Sequence, residues 1–146
     1  MVQTLNESLA LANELRPVLL RISRLVRRES QELGVTAGQA TLLSLIGSQP
    51  GITGRELADA ERISAPGMSA HLERLEEAGL IVRERGTDRR RVGVSLTPEG
   101  ERVLRSVRRK RTAWLAERLS ELSAEEREAI DAAVGPLGRL LEGERP

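Results

Sequence analysis

Residues 64–97, SAPGMSAHLERLEEAGLIVRERGTDRRRVGVSLT, decide how the rest of the chain is read. Ser64 is a hydroxyl residue placed to cap a helix, and Met68, Leu72 and Leu75 follow at the i, i+4, i+7 spacing of a buried helical face. At about 100° per residue, Pro66, Ala70, Glu73 and Glu77 point directly away from that face. Gly67 and Arg74 then sit outward on one flank, Ser69 and His71 lie on the edges, and Gly79 closes the helix. Residues 80–84 and 92–96 read as the strands of a ribbon, Val92, Val94 and Leu96 alternating with Gly93 and Ser95. Arg85, Arg89, Arg90 and Arg91 load the turn between them. A helix running straight into a basic hairpin suits duplex DNA, the helix in a major groove and the hairpin tip in the next minor groove.

The residues before this stretch supply the partner helices. Thr53-Gly54-Arg55-Glu56 is a capping-box pattern opening a short helix through Leu57, Ala58 and Ala60, and residues 61–63 make a tight connection to Ser64. Two short helices joined so closely, the second feeding a hairpin, form a helix-turn-helix with a wing. Thr36 to Gln39 is a second capping box, opening a helix whose inner face is Ala40, Leu42, Leu43, Leu45 and Ile46. Residues 49–51 (Gln-Pro-Gly) stop it, and Ile52 is placed to pair briefly with the ribbon. Further out, Leu9, Ala12, Leu15, Leu19, Ile22 and Val26 keep a 3–4 spacing, so residues 5–33 read as one long helix, interrupted at Pro17 and closed by Gly34. On the other side, Thr97-Pro98-Glu99 starts a second long helix, and Ser123-Ala124-Glu125-Glu126 starts a last one with Ile130, Val134, Leu137, Leu140 and Leu141 on one face.

Composition narrows the function classes. The chain has 146 residues, enough for one domain with its own core. It has no cysteine and one histidine, which excludes disulfides and thiolate chemistry and argues against a metal site or a catalytic triad. No nucleophile or phosphate-loop constellation suggests an enzyme, so neither catalytic residues nor a cofactor are expected. Net charge is only +1, but the cations are almost all arginine and cluster at 21–28, 83–91 and 102–111. The start lacks the basic and apolar regions of a signal peptide, and no apolar run approaches about 20 residues, so the chain is expected in the cytoplasm and not in a membrane.

Asp88-Arg89-Arg90, followed by Val94-Ser95-Leu96-Thr97 and Gly100, resembles the D-x-R … L-T-x-x-G wing of the MarR family of winged-helix regulators. Leu72-Glu73-Arg74-Leu75-Glu76 with Gly79-Leu80-Ile81 resembles that family's recognition-helix ending, and Thr53 through Ala58 its preceding helix. Specific matching spans roughly residues 36–100. The resemblance implies a homodimer joined by its terminal helices on a near-palindromic operator. It also implies that Arg90 enters the minor groove and that Asp88 steadies it.

The expected architecture is therefore mainly α with a small β-hairpin wing: a winged helix-turn-helix with long N- and C-terminal dimerisation helices. Residues 1–146 form one domain, with 36–97 as the DNA-binding region and 5–33 and 98–141 as the dimerisation region. The expected partners are double-stranded DNA, a second copy of the chain, and a small anionic or phenolic effector that releases a repressor from its operator. DNA contacts are expected from Thr53, Arg55, Ser64, Pro66, Gly67, Ser69, Ala70, His71, Arg74, Asp88, Arg89, Arg90 and Arg91. Arg55 and Arg74 suit phosphates, while the small residues of the 64–71 face allow close approach to bases. Arg21, Arg24 and Arg28 form a face that could hold an anionic effector, although a solvated or salt-bridged face accounts for them more simply. Trp114 reads as a packing anchor near the dimer interface. Two alternatives stand beside this reading: a DNA-binding regulator without a ligand, and a winged-helix protein-interaction module.

Overall fold

Hydroxyl caps set the helix starts in a computed structural model that describes residues 1–88 and 90–143. Thr36, Thr53 and Ser123 each accept a hydrogen bond from the backbone N–H three residues on, and the side chains of Gln39, Glu56 and Glu126 accept one from the cap's own N–H. Ser64 and Thr97 cap through their hydroxyls alone, each with a proline in the first turn. The elements, in order, are α1 (Val2–Arg28), a 3-10 turn (Gln31–Leu33), α2 (Ala37–Ser48), β1 (Ile52–Thr53), α3 (Gly54–Glu61), α4 (Ala65–Glu77), β2 (Ile81–Arg85), β3 (Val92–Leu96), α5 (Pro98–Ser120) and α6 (Ala124–Arg139).

The first helix differs from the expected 5–33. It runs unbroken through Pro17 but stops at Arg28, and Gly34, left-handed at φ 77°, closes the 3-10 turn instead. Ser30 supplies the reason. Its side chain is fully buried and its hydroxyl donates to the Arg27 carbonyl at 2.9 Å, a local bond that competes with helix continuation.

The sheet has the order β1-β3-β2, antiparallel throughout. Ile52 faces Val94 across β1 and β3, so the expected short pairing exists, and Arg83 faces Val94 across β2 and β3. The core joins Leu43 and Ile46 of α2, Leu57 of α3, Met68, Leu72 and Leu75 of α4, Ile81 and Val94 of the sheet, and Leu104 and Val107 of α5. All sixteen buried apolar residues among the described residues lie between Val35 and Val107. By contrast α1 and α6 bury no residue at all, and Leu5, Leu9, Leu19, Ile130 and Val134 are exposed along them. The folding unit is thus the winged helix-turn-helix with the first half of α5. Its outer helices carry apolar rows that their own chain does not cover.

Candidate nucleic-acid interface

Packing decides which face of α4 remains free. Met68, Leu72 and Leu75 are 1%, 2% and 0% exposed, as their spacing requires. The opposite face therefore points outward: Pro66, Ser69, Ala70, Glu73 and Arg74 are exposed, and His71 is half-buried at the edge. Its first two turns carry no charge, and its carboxylates lie further along. The Ser64 hydroxyl accepts from the Gly67 N–H at 3.2 Å. Gly67 itself is turned partly inward, because a Cβ there would lie 3.0 Å from the Ser64 hydroxyl oxygen and 3.1 Å from Ile63 Cγ2. Its first duty is to the cap.

The turn between α3 and α4 is made by Arg62, left-handed at φ 53°, with Ile63 donating its N–H to the Ala58 carbonyl. That turn sets α3 against α4 and leaves a groove of about 490 Å³ lined by Gly54, Arg55, Ala65, Ser69, Leu72 and Arg83. Arg83 was not among the residues expected from sequence. It shares the inward side of β2 with Ile81, its Nε is 3.7 Å from a Glu76 carboxylate oxygen, and its Nε and Nη2 are buried without a hydrogen-bond partner among the described residues. The signal was present in the period-two alternation, but an arginine on a basic ribbon reads first as a solvated one.

The wing rises from β2 and β3. Its tip closes through Gly86 N–H to the Arg91 carbonyl and Arg91 N–H to the Asp88 carbonyl, at 3.3 and 3.0 Å. The Asp88 carboxylate accepts from the Arg90 backbone N–H at 3.0 Å, so Asp88 fixes the Arg90 backbone while the Arg90 side chain is exposed. Arg91 turns the other way, its Nη2 donating to Glu56 on α3 at 2.5 Å. Arg89 lies outside the described residues.

On the helical side, Arg24 and Arg28 line a second groove of about 490 Å³ together with Arg27, Leu20, Gln31 and Ala37. Arg21 is not part of its wall. Burial, and then the neighbouring Arg27 charge, lowers the pKa of Arg111, whose Nη2 reaches the buried Ser30 hydroxyl at 3.4 Å. Trp114 is half-buried, with the Arg118 guanidinium 5.5 Å from its ring centre. Among the described residues no group of three or more acidic, histidine or cysteine side chains could hold a metal, and no helix is long and apolar enough to cross a membrane.

Comparison with known proteins decides the family. The MarR family profile matches residues 33–91. An HTH-type transcriptional regulator of Mycobacterium tuberculosis is 31% identical over 139 residues, 94% of this chain and 97% of its own length. The chain belongs to the MarR family. As a MarR-family protein it is a DNA-binding transcriptional regulator. A Pseudomonas aeruginosa PA01 protein, provisionally described as a transcriptional regulator, superposes with a TM-score of 0.84 at 38% identity over 96% of this chain and 99% of its own. A variant of Staphylococcus aureus MepR, solved bound to an oligodeoxyribonucleotide, has a TM-score of 0.68 at 24% identity, covering 90% and 97%, a likeness of fold alone.

Proposed function

We propose that this MarR-family chain is a sequence-specific repressor that binds a near-palindromic operator as a homodimer and is released by a small anionic or phenolic effector. The observation that carries the DNA-binding part is the exposed, uncharged first half of α4, held by three buried residues beside a wing that exposes Arg90. Small side chains there let the helix approach base edges closely, with Ser64, Pro66, Ser69, Ala70 and His71 at the contact. Thr53, Arg55 and Arg74 meet phosphates, and Arg90 enters a narrow minor groove whose negative potential rewards a guanidinium. Arg89, next to Arg90 in sequence, is assigned a DNA contact on its sequence position alone. The MepR variant that shares the fold was solved bound to an oligodeoxyribonucleotide, which supports DNA as the partner.

The uncovered apolar rows of α1 and α6 support the homodimer, with residues 5–33 and 98–141 as the dimerisation region. Two recognition helices would then sit roughly one duplex turn apart. An effector in the groove of Arg24, Arg27 and Arg28 would act by binding a DNA-incompetent spacing more tightly than the competent one.

A mobility-shift assay on the protein's own promoter region, paired with genome-wide selection of bound fragments, tests the reading. A recurrent near-palindrome is expected; no binding even at low salt would overturn it. Thermal shifts across a panel of aromatic and phenolic acids test the effector, and a panel that neither shifts the melting temperature nor releases operator leaves a regulator without a ligand.

A further inference from the structure

We propose that Glu56 and Arg91 form a clamp that fixes the angle of the wing against the helix-turn-helix, which makes Arg91 a positioning residue and not a DNA contact. The inference rests on the reading of the wing as a DNA-binding element. A two-stranded ribbon is marginally stable alone, and this one is held by its neighbours only at its base. There β1 pairs Ile52 with Val94 and Thr53 with Gly93, and Ile81 and Val94 enter the core. The ladder ends at Arg85 opposite Val92, and Arg91 is the next residue outward. From that point its guanidinium reaches back 35 residues in sequence to the first turn of α3. The tip is thereby tied to the helix that sits beside the recognition helix.

Glu56 is well placed to receive it. Its Oε2 accepts the Thr53 N–H at 3.4 Å, its own N–H donates to the Thr53 hydroxyl at 3.1 Å, and its Oε1 is left for Arg91. The capping box restricts the carboxylate before the arginine arrives, which reduces the ordering cost that weakens most exposed ion pairs. The positive end of α3 also favours a carboxylate there. Charge supports the same role. A bare carboxylate at a DNA-facing helix start would repel phosphates, and the pair with Arg91 is neutral.

Sign separates the clamp from a phosphate contact. Glu56→Gln keeps the capping acceptor and removes one negative charge near DNA. If Arg91 contacts phosphate, that change frees it and tightens binding; if Arg91 is held by Glu56, binding weakens. The clamp predicts that Glu56→Gln and Arg91→Gln each weaken operator binding about fourfold to twenty-five-fold in a two-winged dimer, from about two- to fivefold per exposed pair. It also predicts that the double variant loses no more than either single one. The salt slope of Arg91→Gln should stay that of the parent, whereas loss of a phosphate contact lowers its magnitude by about 0.9 per wing, or about 1.8 for the dimer. Hydroxyl-radical protection should fade at the flanking minor grooves and persist over the major grooves. Tighter or unchanged binding of Glu56→Gln, or a lowered slope in Arg91→Gln, overturns the clamp. In the free protein, amide exchange across residues 86–91 should quicken about two- to fivefold in both variants, and unchanged exchange overturns the clamp without any reference to DNA. Failure of the parent protein to bind any DNA overturns the reading of the wing instead.

Discussion

Gly100 lies directly beneath the carbonyl of Leu80, so close that a side-chain carbon at residue 100 would overlap the Leu80 oxygen. That oxygen also accepts the Thr97 N–H at 3.0 Å, and the Thr97 hydroxyl both donates to the Gly79 carbonyl at 2.5 Å and caps α5 by accepting from the Gly100 N–H at 3.0 Å. The leucine-threonine-proline-glutamate-glycine run is thus the joint at which the end of α4, the start of β2 and the start of α5 meet. The motif that marks the family in sequence is a packing constraint in three dimensions. Gly100→Ala must push α5 away from Leu80, and the expected cost is about 2–3 kcal/mol, read as a lowered melting temperature at fixed protein concentration. A variant as stable as the parent would show that the joint relaxes freely.

Arg90 is exposed while its backbone N–H is held by Asp88, an arrangement that presents a free guanidinium from a fixed turn. Arg90→Ala should weaken operator binding and lower the slope of log affinity against log salt by about one contact per wing, about two for the dimer. Titration at several salt concentrations measures both. An unchanged affinity would remove the wing tip from the interface.

His71 sits half-buried at the edge of the recognition face. Because Ser69 and Ala70 offer little hydrogen-bonding reach, His71 is the longest polar side chain in the first two turns of α4. His71→Ala should change the ranking of operators altered at one base position by roughly tenfold. A uniform loss across all sequences would instead assign it to the phosphate backbone.

Lys110 on α5 bonds Glu32 in the 3-10 turn, and that bond, followed by the charge of Lys110, holds the Glu32 carboxyl below its usual 4.5. A carboxyl depressed in the folded state adds stability above its unfolded pKa and loses it as pH falls through the folded one. The pair is largely exposed, so its effect is small and salt-sensitive. Lys110→Gln should lower the melting temperature slightly at neutral pH, by about a degree or two, and the difference should shrink as pH falls below the usual 4.5 and through the lower folded value. A difference that grows on acidification would contradict the linkage.

Much of this was legible along the chain because local chemistry and tertiary packing agree. The three capping boxes, the Met68-Leu72-Leu75 face and the brief Ile52 strand all follow from spacing that the fold then uses. The end of α1 was not legible, since the apolar period continues to Leu33 and only the burial of Ser30 reveals the break. Arg83 and Arg91 were hidden for a related reason. Both belong to one basic ribbon in sequence, yet one folds under it against Glu76 and the other reaches α3 across 35 residues. The helix phase of 24, 27 and 28 likewise brings Arg27 to the groove where Arg21 was expected. Sequence shows which residues are arginine; register and tertiary distance show which are free.

The last prediction concerns what α1 and α6 are for. Leu9 is 54% and Val134 62% exposed, and neither helix buries a residue in its own chain, so a charge at either position costs the winged core almost nothing. If a second copy covers these rows, Leu9→Glu and Val134→Glu should shift the protein to monomer in sedimentation while leaving the Val35–Val107 core folded by circular dichroism. Operator affinity should then fall by about a hundredfold or more, because the second half-site no longer enjoys the effective concentration that a linked partner supplies. A Glu variant that stays dimeric and binds as before would mean that the apolar rows serve another purpose. A monomer that binds as tightly as the parent would mean that one recognition unit suffices.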